Sequence, residues 1–224
     1  MQDVSKISTD KLSLERISSF IKSYITDDEG ELGRIYATAI QDKVPVMRKE
    51  TRELIKTQLI MKKPMQLLEI GTAVGYSSVY MSKYLGEGGK ITTIELDEER
   101  VKIARANIEK LGKSQVINVL QGDAYEVLKT LPDEAYDFAF VDAAKGQYVN
   151  YYPDVMRVVK SGGVIISDNV LQDGDVLESH FTVDKRNRTI HDRMREYLYT
   201  ITHDDRLDTA ILSVGDGVAI SVKR

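Results

Sequence analysis

The fold of this chain is decided by one stretch, Leu67-Leu68-Glu69-Ile70-Gly71-Thr72-Ala73-Val74-Gly75-Tyr76-Ser77. Its apolar start, within residues 66–70, is typical of a buried strand. Gly71 lets the backbone turn close to a ligand, and Gly75 lets the following helix pack tightly. Ser77 can cap that helix or donate its hydroxyl to a ligand. This order predicts a nucleotide-binding βα unit, although an ordinary βα turn with two structural glycines fits the same pattern.

Outward from this stretch, strands and helices alternate. The predicted strands are 66–70, 90–95, 116–121, 136–141 and 163–167, with helices at 77–85, 98–111, 125–129 and 151–159 between and after them. This succession predicts a mainly parallel sheet covered on both faces. A helix over 185–201 follows, and then strands 209–214 and 218–222 flank Gly215-Asp216-Gly217, which predicts an antiparallel hairpin. We therefore predict an α/β, Rossmann-like class I methyltransferase fold with a seven-stranded sheet.

The composition and the N-terminal third define the remaining organisation. The chain has 224 residues, 42% hydrophobic and 29% charged, with a net charge of −4 and no cysteine. Thiolate chemistry and disulfides are therefore excluded, and a single domain over 1–224 is expected. No apolar run is long enough to span a membrane, so we expect a cytoplasmic protein without membrane contact. Residues 11–63 read as helices, broken at 43–47 by Pro45, and we expect the helical region 1–63 to form a cap and to support a homodimer.

Acidic residues at two neighbouring strand ends point to a nucleoside ligand. Glu95 ends the second predicted strand, where an acidic side chain grips ribose hydroxyls. Asp123 and Ala124 follow the third strand, where they can read an adenine edge. The glycine spacing Gly-x-x-x-Gly lacks the third glycine of a pyrophosphate site. This favours a nucleoside without phosphates, such as S-adenosylmethionine.

A second set of polar residues follows the strands at 136–141 and 163–167. Asp142 comes after the first of them, and Asp168 and Asn169 come after the second. The carboxyl ends of parallel strands meet at one edge of a sheet, and carboxylate and amide oxygens are the ligands that Mg²⁺ prefers. The sequence thus predicts a magnesium site, with helix caps and a turn as the alternative roles.

Lys145, three residues after Asp142, suggests that this site is catalytic. A hydroxyl is a poor nucleophile until it loses its proton, and Mg²⁺ favours that loss. A lysine near a divalent cation can be neutral and take the proton, or it can stay charged and stabilise the anion. A solvated surface lysine remains the third interpretation.

These motifs resemble those of the cation-dependent, S-adenosylmethionine-dependent O-methyltransferases, the family of catechol and caffeoyl-CoA methyltransferases. The resemblance runs from about residue 44 to the C-terminus and rests on Pro45-Val46-Met47, residues 68–77, Ile94-Glu95, residues 122–124, residues 140–145 and Asp168-Asn169. It implies catalytic roles for Lys145 and Asp142, and metal ligation by Asp142, Asp168 and Asn169. It also implies cofactor contacts from Met47, Gly71, Ser77, Glu95, Asp123, Ala124 and Asp142.

Within that family, residues 142–148, 168–171 and 214–221 resemble the bacterial tRNA 5-hydroxyuridine methyltransferases. That similarity implies Mg²⁺-dependent methylation of 5-hydroxyuridine at the anticodon wobble position, giving 5-methoxyuridine. The absence of tryptophan and the presence of only four phenylalanines make a catechol gate hard to recognise. The alternatives are a catechol-like or other small-molecule acceptor and, from a different class, a non-catalytic nucleoside- or RNA-binding module.

Contact with a tRNA anticodon loop would need basic and aromatic residues near the site. Two basic clusters are candidates: Lys185, Arg186, Arg188, Arg193 and Arg195, and Lys43, Arg48, Lys49 and Arg52. Tyr148, Tyr151 and Tyr152 are candidate stacking partners. On charge alone, Asp184, Asp192 and Glu196 balance the first cluster, which favours an ordinary solvated helix. His180, His191 and His203 show no ligand spacing in the sequence and are expected to be surface or helix residues.

Overall fold

A computed structural model describes residues 14–224 of the chain. One seven-stranded sheet organises it, in the order β3-β2-β1-β4-β5-β7-β6. The strands are β1 (Gln66–Ile70), β2 (Lys90–Glu95), β3 (Ile117–Gln121), β4 (Tyr136–Val141), β5 (Val159–Asp168), β6 (Leu207–Leu212) and β7 (Val218–Lys223). Strands β1 to β5 pair in parallel, and β7 pairs antiparallel with both β5 and β6. The predicted fold class is confirmed.

Eight α-helices are found among residues 14–224. They are α1 (Leu14–Lys22), α2 (Gly30–Gln41), α3 (Lys49–Lys62), α4 (Tyr76–Met81), α5 (Glu98–Lys110), α6 (Ala124–Thr130), α7 (Tyr148–Val158) and α8 (Arg188–His203). Short 3₁₀ turns occur at Lys145–Gln147 and Gln172–Leu177. No helix in this part of the chain is long and apolar enough to cross a membrane.

Several predicted boundaries were wrong. Strand β5 begins at Val159 rather than residue 163, because Val159 pairs with Tyr136 before the register shifts. Gly162 sits in that irregular stretch with φ +73°. Helix α4 is shorter than predicted, since residues beyond Met81 continue only as single hydrogen-bonded turns. The part of the predicted helical region that lies in residues 1–13 is outside the described residues.

The core lies on both faces of the sheet, as the wholly buried strand β4 shows. Phe138 and Phe140 point to a layer that includes helices α2, α3 and α4. Ala139 and Val141 point to the opposite layer, where helices α6, α7 and α8 pack. This two-residue alternation with apolar side chains on both sides is the signature of a doubly covered parallel strand.

Gly71 determines how the ends of β1 and β4 meet. Its φ is +104°, and a Cβ placed there would lie 2.0 Å from the carbonyl oxygen of Asp142. The amide of Asp142 in turn donates to the carbonyl of Ile70 at 2.9 Å. Only glycine therefore allows the chain after β4 to pass so close to the first turn. Gly71 was predicted to let the backbone come close to a ligand. In the structure it also lets the backbone of Asp142 come close to the first turn.

Candidate active site

A cleft of about 610 Å³ opens at the carboxyl ends of β1 to β4. Its walls include every residue for which a cofactor contact was predicted: Met47, Gly71, Ser77, Glu95, Asp123, Ala124 and Asp142. Lys145 and Asn169 line the same cleft. The structure therefore brings the predicted nucleoside end and the predicted reactive end into one space. Their individual roles stay predictions.

Glu95 is fixed from two sides. Its Oε2 accepts a hydrogen bond from the Ala73 amide at 2.8 Å, and its Oε1 accepts one from the Asp97 amide at 3.0 Å. Glu95 thus ties the first βα turn to the loop after β2. Each carboxylate oxygen retains acceptor capacity for a hydroxyl. The sequence showed the strand-end position but not these two amide donors.

Asp123 both caps a helix and lines the cleft, two roles that the sequence presents as alternatives for Asp142 and Asp168. It is the N-cap of α6, and its Oδ1 accepts a hydrogen bond from the Tyr125 amide at 2.9 Å. It also lines the cleft. The second carboxylate oxygen of a capping aspartate stays available, so capping and ligand binding are compatible here.

Asp168 is almost completely buried, and only one of its two carboxylate oxygens has a hydrogen-bond partner. Its Oδ1 accepts from the Asn169 amide at 2.8 Å and lies 3.5 Å from Oγ1 of Thr51. Its Oδ2 has no hydrogen-bond partner among residues 14–224. Asn169 has φ +56°, a left-handed conformation that asparagine tolerates better than most residues. A buried carboxylate oxygen without a donor is the group that a cation would satisfy.

The helix-cap alternative fails for both aspartates. The 3₁₀ turns that follow Asp142 and Asp168 have no side-chain cap hydrogen bond. Instead, burial raises the pKa of Asp142, as does the nearby charge of Glu69, with Lys145 acting in the opposite direction. Burial and the charge of Asp142 likewise raise the pKa of Asp168. The protein thus concentrates negative charge where solvent cannot stabilise it, and the donor set fits a hard divalent cation.

Lys145 is not a solvated surface lysine. Its Nζ lies 3.1 Å from Oδ2 of Asp216, which is buried in the turn between β6 and β7. Oδ1 of Asp216 accepts a hydrogen bond from the Asp173 amide. Asp216 therefore positions Lys145 at the cleft. Sequence analysis assigned Asp216 only to the hairpin turn, although an acidic residue between two glycines was a signal that could have been followed.

Tyr148 was wrongly assigned as a base-stacking residue. Its ring is buried, and its hydroxyl lies 3.2 Å from the carbonyl of Val141 and 3.0 Å from that of Asp168. It therefore links the ends of β4 and β5, which carry the two aspartates. Tyr152 is also buried and bonds to Asp204, and Tyr151 is a buried part of the cleft wall. Because α7 turns these rings inward, none of them projects from the outer surface, although Tyr151 borders the cleft.

The candidate RNA-binding cluster Lys43, Arg48, Lys49 and Arg52 is not a free basic surface. Arg52 is only 3% exposed and pairs with Asp28 at 2.7 Å and with Glu53 at 2.9 Å. Arg48 pairs with Asp173, and Lys49 pairs with Asp27. Most of this positive charge is neutralised within the protein because acidic residues from distant segments fold onto it.

The other basic cluster, which lies within residues 185–195, is only partly available to a ligand. Three of its arginines bond to backbone carbonyls: Arg188 to Val183 and Phe181, Arg193 to Gly146, and Arg195 to Val176. Lys185 and Arg186 are exposed. The arginines fix the segment before α8 and the turn after Asp142, so their main contacts are structural.

A second cavity of about 440 Å³ adjoins the reactive end. Its walls come from α1, α3, the turn Gln172–Leu177 and the hairpin turn that carries Asp216. Apolar side chains from Ile17, Ile21 and Leu54 face it together with the charged Arg48 and Asp216. Sequence analysis did not predict this cavity, because its walls are far apart along the chain.

Comparison with known proteins agrees with this geometry. The model of the O-methyltransferase family matches residues 26–224. The chain belongs to this O-methyltransferase family. It is 35% identical to a caffeoyl-CoA O-methyltransferase from Stellaria longipes over 174 residues, which cover 74% of this chain and 71% of that one. It is 34% identical to a catechol O-methyltransferase from Niastella koreensis over 119 residues, 52% of this chain and 54% of that one.

Solved structures of similar proteins support the same assignment. A candidate caffeoyl-CoA O-methyltransferase from Staphylococcus aureus superposes with a TM-score of 0.86 at 27% identity, covering 93% of this chain and 100% of that one. An O-methyltransferase from Bacillus cereus, solved in complex with SAH, gives a TM-score of 0.81 at 24% identity and shares the fold, covering 93% and 97%. The predicted enzyme class, an S-adenosylmethionine-dependent O-methyltransferase, is confirmed.

Proposed function

We propose that this O-methyltransferase methylates a hydroxyl of a small aromatic acceptor that carries a second oxygen on the neighbouring carbon, as a catechol does. One observation carries the proposal: Lys145, which lines the cleft, pairs at 3.1 Å with Asp216, which lines the second cavity. Its volume of about 440 Å³ lies in the range that small ligands occupy, and its walls combine apolar and charged groups as ligand pockets do. The names of the plant and bacterial relatives support the same acceptor class.

The methyl donor belongs in the first cleft. We assign the ribose hydroxyls of S-adenosylmethionine to Glu95, whose carboxylate is held in place by two amides. Asp123 and Ala124 form the adenine end of the cleft, and Asp142 lies at its opposite, reactive end. Glu95 ends β2 and pairs with Gln121, two residues before Asp123, so the β2–β3 pairing sets the spacing of the two carboxylates.

Asp142, Asp168 and Asn169 would hold the divalent cation, which we propose to be Mg²⁺. The unpartnered Oδ2 of Asp168 and the all-oxygen donor set fit such an ion. When bound, the cation would lower the pKa of an acceptor hydroxyl and favour the oxyanion. The protein's own contribution is to hold the two aspartates rigidly, through Tyr148 and through the close contact of Gly71 with the Asp142 backbone.

We propose that Lys145 takes the proton of the acceptor hydroxyl or stabilises the negative charge that the loss of this proton leaves. The contact with Asp216 fixes Nζ at the edge of the cleft, close to the second cavity. The fold lowers the activation barrier mainly by holding both reactants in an attack geometry, because orientation alone can contribute about 7–11 kcal/mol in favourable cases. The rigid strand ends and the paired lysine supply that orientation.

A second candidate acceptor is 5-hydroxyuridine in a tRNA anticodon loop. Its reacting hydroxyl also has a neighbouring oxygen on the adjacent carbon, so the same reactive groups would serve. One observation favours it: Phe181 is 84% exposed in the segment before α8, and Lys185 and Arg186 are exposed nearby in the sequence. Exposed aromatic and basic side chains together are typical of single-stranded RNA binding.

Methyl transfer from labelled S-adenosylmethionine distinguishes these acceptors. Purified protein with Mg²⁺ is offered catechol-type acceptors and, separately, tRNA that carries 5-hydroxyuridine. We expect the higher kcat/KM with the catechol type and loss of turnover when EDTA is added. A higher value with tRNA would assign the enzyme to the second candidate, and transfer to neither would contradict both.

A cavity variant adds a structural control to this comparison. Ile21→Trp narrows the second cavity from α1, whereas Ile40→Trp alters an exposed residue of α2 that does not line it. The first variant should raise KM for a catechol-type acceptor and leave SAH affinity unchanged, and the second should change neither. Equal KM values for the two variants would contradict an acceptor site in the second cavity.

We also propose that two copies of the chain associate through the N-terminal helices. Phe20 and Tyr24 near the end of α1 and Met61 in α3 are large apolar side chains that are each more than 60% exposed. Exposed apolar patches on a globular protein commonly mark association surfaces. Light scattering of the purified protein at several concentrations tests this, and a monomeric mass throughout would contradict it.

A further inference from the structure

Two of the three histidines converge on one carboxylate, an arrangement that their spacing in the sequence does not predict. His180 Nδ1 lies 2.8 Å from Oδ1 of Asp192, and His191 Nδ1 lies 2.9 Å from the same oxygen. Candidate ligand atoms of all three residues lie within 4.8 Å of one another. We call these three residues the His–Asp cluster. The spacing between His180 and His191 matches no short metal-binding motif, so the sequence alone does not reveal the cluster.

The surroundings of the His191 ring call for either a second ring proton or a bound cation. Its ring is buried, and its Nε2 lies 3.1 Å from the backbone carbonyl of Glu178. A carbonyl and a carboxylate are both acceptors, so both ring nitrogens of His191 face acceptors. A neutral imidazole has only one N–H and can satisfy only one of them. A second ring proton removes this conflict, and so does a cation bound to Nδ1 and to the carboxylate.

The same arrangement is usual at metal sites. A metal-ligating histidine commonly donates its other N–H to a backbone carbonyl, which fixes the tautomer and the ring orientation. Here the Glu178 carbonyl would accept the Nε2–H of His191 and leave Nδ1 free to bind a metal. Two imidazole nitrogens and one carboxylate oxygen suit Zn²⁺ rather than Mg²⁺.

The distances allow such an ion after a small adjustment. Ligand bonds of about 2.0–2.2 Å place neighbouring ligand atoms of a tetrahedral zinc site about 3.3–3.6 Å apart. The two nitrogens of the cluster lie slightly closer than that to Oδ1 of Asp192. His180 and Asp192 are partly exposed and can move by the few tenths of an ångström required.

We propose that His180, His191 and Asp192 form a zinc site, separate from the Asp142, Asp168 and Asn169 set, in which the fourth position is open to water. The site would clamp the segment after the turn Gln172–Leu177 onto α8. That turn carries Leu177 and Asp173, which line the second cavity. The ion would thereby hold one wall of that cavity in place. The inference concerns metal binding and stands whichever acceptor the enzyme uses.

Zinc binding to the full-length protein tests the proposal directly. Zn²⁺ affinity is measured by competition with a chromophoric chelator, in an excess of Mg²⁺. Asp168→Asn is included to separate the cluster from the aspartates of the cleft. We expect one Zn²⁺ per chain with unchanged affinity in Asp168→Asn. His180→Ala and Asp192→Asn should each weaken binding by at least about 10-fold, since changes even to supporting groups of a metal site cost 10–100-fold.

His203→Ala provides the matched control, because His203 lies on α8 outside the cluster and its hydrogen bonds and ring contact, with Tyr199 and Thr202, stay within that helix. Its Zn²⁺ affinity should equal that of the unmodified protein. In NMR spectra, Zn²⁺ should shift the ring signals of His180 and His191 and leave those of His203 unchanged. Equal affinity in His180→Ala, Asp192→Asn and the unmodified protein would overturn the proposal, as would binding that is lost in Asp168→Asn.

Discussion

Replacing Asp168 by asparagine should stabilise the cation-free protein above neutral pH, although it removes a proposed metal ligand. The carboxyl group is buried, and burial together with the charge of Asp142 raises its pKa from 3.8 to about 7. The folded state therefore holds this proton more tightly than the unfolded state. Between about pH 4 and pH 7 the folded protein binds more protons, so the free energy of unfolding falls as the pH rises.

The size of the effect follows from the same numbers. Each pKa unit corresponds to about 1.4 kcal/mol, so a difference of about 3 units makes ionised Asp168 cost on the order of 4 kcal/mol above pH 7. In Asp168→Asn this cost disappears, and an unpaired amide group would cost at most about 1–3 kcal/mol in return. A net gain of at least about 1 kcal/mol remains, or roughly 2–4 °C in Tm.

Comparing the unmodified protein with Asp168→Asn at two pH values isolates the effect of the Asp168 charge on stability. From pH 5 to pH 8 the unmodified protein should lose about 3 kcal/mol of unfolding free energy relative to Asp168→Asn, because the unfolded carboxyl is already ionised at pH 5. Urea unfolding in EDTA at both pH values measures this. Asp42→Asn, at an exposed position after α2, is the control for removal of a charge. Added Mg²⁺ should raise the Tm of the unmodified protein and leave Asp168→Asn unchanged.

Two results would refute this reasoning. A stability difference between Asp168→Asn and the unmodified protein that does not vary between pH 5 and pH 8 would show that the carboxyl group is not destabilised by its surroundings. Equal stabilisation of both proteins by Mg²⁺ would show that the ion does not depend on this carboxylate.

Three further substitutions probe other parts of the molecule. Arg52→Met should lower the free energy of unfolding by about 1.5–3 kcal/mol, because Asp28 loses its ion pair with Arg52 but keeps the Tyr76 hydroxyl at 2.6 Å and Lys83 at 3.8 Å; urea unfolding measures this, and Lys56→Met, at a more exposed pair, should change little. Glu95→Gln should weaken SAH binding about 10- to 100-fold in calorimetry, since a hydrogen bond to a charged group contributes about 1.5–3 kcal/mol; an unchanged Kd would contradict the ribose assignment. Lys145→Met should lower kcat at least about 100-fold with little change in SAH affinity, as expected of a group acting on the proton of the acceptor; a kcat near that of the unmodified protein would contradict that role.

The sequence predicted what depends on local rules. The alternation of apolar runs and amphipathic helices indicated the layered sheet, and the glycine pair of residues 67–77 identified its first ligand-binding turn. Because the strands are parallel, residues just after them had to meet at one edge. This rule alone placed Glu95, Asp123 and Asp142 together, and the structure brings them into one cleft.

The tertiary structure alone decided which charges are paired and which rings are buried. Arg52 and Tyr148 carry no sequence mark that separates them from exposed residues, yet folding places one beside Asp28 and the other between the ends of two strands. Lys145 likewise meets Asp216 across 71 residues of chain. Local sequence sets the backbone path, whereas the state of a polar side chain depends on the partners and the solvent exclusion that distant segments supply.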